Sequence, residues 1–559
     1  MEKIFRIFSK EYRNINSAAI LMGAFTLLSQ VLALFRDRSI AHYIGPSAGL
    51  DAYYAAFRLP DLIFISIASL ASITALLPFI SAKMDGEKVT PESKQFFSHI
   101  LTVFLILLIG VSLIIFIFMP EFASLIAPGF APALKAKFVL LSRIMLLSPI
   151  LMGLSNLFGT VTQLFRKFFI YSLSPVLYNV GIIIGVIFLY PIFGIEGLAI
   201  GVALGAFFHV AIQAITSFKE GFTFRLSWPG DFAEIKRVVL VSIPRTLGLA
   251  FNNISLIVIV ALASFLQSGS ISIFNFSFNL QSVPLNIIGI SYAVAAFPTL
   301  VKSVTSGNSS EFKQYLASSA RAIVFWSLPV TFLFIVLRAQ IVRVILGSGS
   351  FSWNDTRLVA AGLAIFATSV LAQGMTALLS RAYYAHGETK RPVVINLICS
   401  ALIIVLSFAF TYAFKALPAF ADFLTSILKV SDIPGTEVLM LPLAYAVGTI
   451  LNFILHWIYV KRDFMQSEPF ISRTFWQSFA ASLLLGVGSY ISLNILSPIF
   501  GTVTFVGVFL QGFISGVFGI LVAIAVLYLL KNQELAELWL ALKTKFWRSK
   551  VLVPQQEEL

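Results

Sequence analysis

Arg36, Asp37, Arg38, Asp51 and Arg58 stand within one stretch, Thr26–Asp61, between two segments that are otherwise apolar. Charge beside hydrocarbon is expensive, so its retention points to a water-filled cavity or a polar ligand. The bland alternative is an interfacial loop carrying topology signals. Arginine suits the sharper reading, because its planar fork takes two oxygens of a phosphate or carboxylate at once. Asp37 beside Arg36 reads either as an interfacial ion pair or as part of that site, and Asp51 as a group that orients an arginine. Thr26, Gln30 and Asp37 recur at separations of four and seven, which puts them on one helix face. That stripe lines a hydrated interior or bonds neighbouring helices through Thr and Gln. Farther along, Arg245 follows Pro244 about two turns in from Lys236 and Arg237, as a buried cation or one snorkelling to the interface. Asn275 and Asn279 share a helix face and either hold a ligand or join helices. The candidate substrate-binding set is Arg36, Asp37, Asp51, Arg58, Gln30, Arg245 and Asn279.

The elements that must position these residues are membrane helices. Of 559 residues 58% are hydrophobic and 11% charged, with mean hydropathy +0.93; a soluble domain carries about 25% charged residues. Apolar runs long enough to cross a bilayer recur throughout, continuous and not alternating, which excludes a β-barrel. The expected fold is all-α and polytopic, with about 14 transmembrane helices. Two six-helix lobes, about 16–218 and 237–461, would surround a central cavity, joined by a cytoplasmic linker at 219–236 containing Pro229-Gly230. Two further helices would occupy about 462–530, with tails at 1–15 and 531–559. Lys83, Lys88, Lys94, Arg166, Lys167, Lys219, Lys390, Arg391, Lys461 and Arg462 fall in alternate loops. By the positive-inside rule both termini are then cytoplasmic. The segment 415–437, with its stretch FADFLTSILKV, reads as an outer loop bearing an interfacial helix.

The formal charge of +14 reflects those cytoplasmic loops and an anionic substrate, and not nucleic acid. Cys399 is the one cysteine, and His42, His99, His209, His386 and His456 show no ligand spacing, so neither a metal nor another cofactor is expected. There is no Walker A sequence, nucleophile elbow or HExxH motif. Transport is favoured over catalysis. The spans offer almost no carboxylate of the kind a proton-coupled antiporter uses.

A set of motifs in order along the chain resembles the MurJ/MviN family, lipid II flippases of the MOP exporter superfamily. It comprises Arg36-Asp37, Gly45, Asp51 to Phe57 (DAYYAAF), Leu59-Pro60, Pro78, Ser174-Pro175 with Asn179, and Gly194 to Ala199 (GIEGLA). It continues with Gly269 to Ser272 (GSIS), Pro284, Pro298, Gly349-x-Phe351, and Arg381 to Ala385 (RAYYA) followed by Thr389 to Pro392 (TKRP). The resemblance implies a monomeric fourteen-helix flippase of the bacterial inner membrane. Its central cationic cavity would open alternately to either side and carry an undecaprenyl-pyrophosphate-linked peptidoglycan precursor. The alternatives are a flippase for another polyprenyl-linked oligosaccharide, or a drug/cation antiporter. The family commonly has arginine where Gln30 stands, near Phe64, and at Asn279.

Overall fold

In the computed structural model, residues 15–547 are described apart from 69–72, 87, 466–470 and 502–503. The described chain is helical, as expected. Ten helices among these residues are long and apolar enough to cross a membrane, or eleven when Trp353–Ala367 and Val370–Ala385, bent by 41°, count as one span. Ile15–Tyr43, the segments Arg58–Ile63, Phe64–Ala68 and Ile73–Ala82, and Ala233–Ala263 are helical where the first, second and seventh spans were expected. The expected count of 14 is therefore approximate.

The chain forms two compact units. The first comprises Met1–Leu280, Ile345–Gly362 and Thr389–Leu451; the second comprises Gln281–Val344, Leu363–Glu388 and Asn452–Leu559.

Six helices build the candidate site: α1 (Ile15–Tyr43), α2 (Ala48–Ala56), α3 (Arg58–Ile63), α4 (Phe168–Ile184), α5 (Ala233–Ala263) and α6 (Ser270–Pro284). The apolar run of α1 has no proline to interrupt it, and its 29 residues extend about 44 Å at 1.5 Å per residue. A hydrocarbon core is only about 30 Å thick, so an upright α1 carries its last turns, with Arg36 and Asp37, towards the interface. Gly45 then ends it in the left-handed region at φ 65°, where a Cβ would stand 2.6 Å from the Ser350 carbonyl oxygen. The Ser350 amide in turn donates to the His42 carbonyl at 2.9 Å. This turn therefore needs glycine for both its dihedral and its packing. Ser47 caps α2 by accepting from the Leu50 amide.

Helix α4 is placed by close backbone approach. A Cβ on Gly181 would overlap the backbone of Gly205 in the helix Ile195–Lys219. Within a bilayer, helix association draws on such close van der Waals packing because lipid is as apolar as the side chains. The contact fixes Tyr178 and Asn179 on the turn just before Gly181. A further core of the first unit joins Phe97, Phe104, Phe158 and Phe222 to Leu76 and Val161, all buried. In the second unit, Leu316, Ile323, Leu378, Tyr383 and Val460 form the corresponding core.

Candidate functional site

The first unit encloses a cavity of about 310 Å³ lined by Arg36, Asp37, Tyr53, Tyr54, Arg58, Asp61, Tyr178, Asn253, Asn275 and Asn279, with Ile40, Phe57, Ile182, Leu256 and Phe278 as its apolar wall. Every one of the six helices contributes. Arg36 directs Nε and Nη2 to Asp37 Oδ1 at 2.9 and 2.8 Å, and Nη1 to Asn179 Oδ1 at 3.2 Å. The other Asp37 oxygen accepts from Asn279 Nδ2 at 3.0 Å, and Asn179 Nδ2 reaches Ser29 Oγ at 3.2 Å. Asp37 is thus buried but satisfied on both oxygens, the condition under which a charge tolerates burial.

Arg58 differs. It is buried, gives Nη2 to Asn275 Oδ1 at 2.8 Å, and keeps Nε without a hydrogen-bond partner among the described residues. Asn275 is held in turn by donating Nδ2 to the Ile271 carbonyl at 2.7 Å. Asp61 shares the cavity with Arg58 and attracts it electrostatically. A buried guanidinium with an unused donor is prepared for an anionic acceptor, since an unmet buried donor costs about 1–3 kcal/mol.

The structure brings Arg36, Asp37, Arg58 and Asn279 together in this cavity. Asp51 is not among its lining residues. It sits between spans at the start of α6, accepting from the Gly269 amide at 2.6 Å, the Ser272 amide at 2.8 Å and the Ser272 hydroxyl at 2.6 Å. Burial pushes its carboxyl up to about 7 against the opposing pull of those donors. Asp51 therefore ties α2 to the N-terminus of α6, where a carboxylate also meets the positive end of the helix dipole. Gln30 lies two turns before Asp37, partly buried and outside the cavity lining. Thr26, of the same stripe, spends its hydroxyl on the Met22 carbonyl at 2.8 Å. Arg245 lies on α5, but its side chain is outside the described residues.

Sequence reasoning passed over Asp61, Tyr53, Tyr54 and Tyr178 as cavity residues. Arg58 and Asp61, three apart and flanking Pro60, were the legible signal for the first of them. Asp61 and Asp37 correct the expectation that carboxylates are almost lacking here. They also alter the expected cationic cavity: two arginines face two aspartates, and the formal charges cancel.

A family model described as "Lipid II flippase MurJ" matches residues 40–511. The chain belongs to this family. Relatives named as probable lipid II flippase MurJ include one from Rickettsia prowazekii, 27% identical over 68% of this chain and 75% of its own length. Another, from Vibrio cholerae, is 27% identical over 72% and 78%. Among solved structures, a lipid II flippase MurJ in an inward closed conformation superposes with TM-score 0.71 at 22% identity, covering 93% of this chain and all of its own. An inward-facing MATE family transporter of the MOP superfamily gives 0.63 at 15% identity, covering 80% of this chain. At such identities the structural likeness speaks for the fold. The chain is accordingly a membrane protein of a transporter family, not an enzyme.

Proposed function

We propose that the protein flips undecaprenyl-pyrophosphate-linked peptidoglycan precursor, lipid II, across the bacterial inner membrane by alternating access. The observation that carries this reading is the pair Arg36 and Arg58 in one cavity, the first held ready by Asp37 and the second with an unused donor. An arriving pyrophosphate takes Arg36 from Asp37 and completes Arg58, exchanging one set of charge-assisted bonds for another. Asn279 and Asn275 orient the partners, the first by donating to Asp37 and the second by accepting from Arg58. Because Asp37 and Asp61 wait beside the arginines, they reclaim them when the cargo leaves, which keeps binding reversible. At about 310 Å³ the cavity is at the small end for a drug-sized ligand. It accommodates a pyrophosphate but not a disaccharide with its peptide, so carrying the headgroup requires opening, as alternating access supposes. The protein acts as a monomer with both termini in the cytoplasm, and the polyprenyl chain stays in the bilayer.

The test is complementation of a flippase-depleted bacterium combined with lipid II externalisation. Rescue with externalisation supports the proposal; membrane insertion without either overturns it. Asp37 and Asp61 in the cavity favour a second reading, a drug/cation antiporter. In that case the same cells show no externalisation, and the purified protein in vesicles exchanges protons or sodium for a cationic drug.

A further inference from the structure

The second unit holds a larger cavity that the proposed transport leaves unused. It measures about 660 Å³ and is lined by Lys313, Gln314, Arg321, Arg473, Thr474, Gln477 and Glu534, among others. Among the described residues, three cations face one acid. Glu534 Oε1 accepts from Thr474 Oγ1 at 2.7 Å and lies 3.2 Å from Arg321 Nε, whereas its Oε2 is buried without a hydrogen-bond partner among the described residues. Lys313 and Arg473 have no acidic partner among them either. The helices Ser309–Val336, Ser472–Phe500 and Gln533–Trp547 all begin at this cavity, adding the positive ends of their dipoles to the same field.

Beside it lies a second cavity of about 320 Å³, lined by Val324, Met375, Phe453, Trp457, Phe475 and Trp476, with Ile471 common to both. The walls of this neighbour are apolar and aromatic, with Lys461 at the edge. Because two of the three helices that open here are membrane spans, the paired cavities stand at a span terminus, where a bilayer presents phosphate next to acyl chain. A free anion has no use for the apolar half. A neutral lipid has no use for the cation excess.

We propose that the two cavities form one site for an anionic glycerophospholipid, its phosphodiester among Lys313, Arg321 and Arg473 and an acyl chain along Trp457 and Trp476. Glu534 Oε2 accepts from a headgroup hydroxyl, which selects a hydroxylated headgroup such as glycerol. Basic pockets between membrane helices recognise anionic headgroups in this way, with each cation near the surface worth about a fivefold change in affinity.

Native mass spectrometry of the full chain, titrated with phosphatidylglycerol, phosphatidylethanolamine or phosphatidylcholine, tests this. Retention of phosphatidylglycerol at least tenfold tighter than the other two is expected. Lys313→Ala or Arg473→Ala lowers that preference about fivefold, and Arg473→Lys preserves most of it. Arg225→Ala, an exposed cation of the other unit, leaves it unchanged. Brominated acyl chains of phosphatidylglycerol quench tryptophan fluorescence, and Trp476→Phe reduces the quenching. The proposal is overturned by equal retention of all three lipids in the unsubstituted chain, or by an equal effect of Arg225→Ala. Displacement of the lipid by millimolar inorganic phosphate identifies a free-anion site instead. Tighter retention of polyprenyl phosphate makes the cavity a cargo site. Either result also sinks the proposal.

Discussion

Two polar cavities, one in each unit, hold similar residues in opposite balance. In the first unit, Arg36 and Arg58 face Asp37 and Asp61, and three asparagines and three tyrosines complete the polar lining. In the second, Glu534 is the one acid among the described residues to face Lys313, Arg321 and Arg473. A transported anion must leave as readily as it arrives, and neighbouring carboxylates that compete for the arginines provide that release. A lipid that stays bound needs no such competitor. Charge balance therefore separates a site of passage from a site of residence, although arginine is common to both.

The largest expected effect tests the site of passage. Arg36→Ala abolishes rescue of a flippase-depleted strain while the protein still inserts, because it removes the fork and leaves Asp37 to repel phosphate; rescue at the unsubstituted level would separate Arg36 from cargo binding. Next in size is Asp51→Ala, which strands the Gly269 and Ser272 amides and the Ser272 hydroxyl. At about 1 kcal/mol for each buried group left unmet, the cost is about 3 kcal/mol, visible as lower thermal stability in detergent. If stability is unchanged, the junction between α2 and α6 is held by something else. Asn279→Arg brings the first cavity towards the balance of the second. Binding of undecaprenyl pyrophosphate is expected to tighten about tenfold while externalisation slows, and a faster flippase would refute the argument from release.

Much of this was legible in the sequence. The apolar runs and their interruptions located the spans, since burial in hydrocarbon leaves a compositional trace that needs no knowledge of packing. Arg36, Asp37, Arg58 and Asn279 could be chosen because polar groups among apolar ones stand out. The role of Asp51 could not be read, because its partners are 218 and 221 positions away and nothing local distinguishes an aspartate that anchors a distant helix from one that orients an arginine. The stripe Thr26–Gln30–Asp37 shows the limit of periodicity. It places three residues on one face, yet Thr26 satisfies itself on its own helix and only Asp37 reaches the cavity. Tyr178 escaped notice for the opposite reason: tyrosine is unremarkable in a membrane helix, and only the glycine contact at Gly181 and Gly205 aims it.

The smallest effect belongs to a charge pair that neither cavity contains. Arg357 donates to both oxygens of Asp432 at 2.6 Å and to the Lys429 carbonyl at 2.6 Å, clamping the segment after the helix Pro418–Leu428 to the helix Trp353–Ala367. Asp432 is well exposed, so water and salt screen the pair and its contribution is minor. The hydrogen bonds from Arg357 hold its carboxyl below the ordinary value of 3.8. A group that binds its proton less readily when folded stabilises the fold above that ordinary value, and the stabilisation disappears as pH falls through the lowered one. Asp432→Asn is thus expected to melt about 1 °C lower at pH 7, the gap closing as pH falls below the lowered value. A gap that persists at low pH would mean that the two-oxygen hydrogen bonding of Asp432 to Arg357, and not its charge, holds the clamp. In that event Arg357→Lys, which loses the fork but keeps the charge, would melt lower at both pH values.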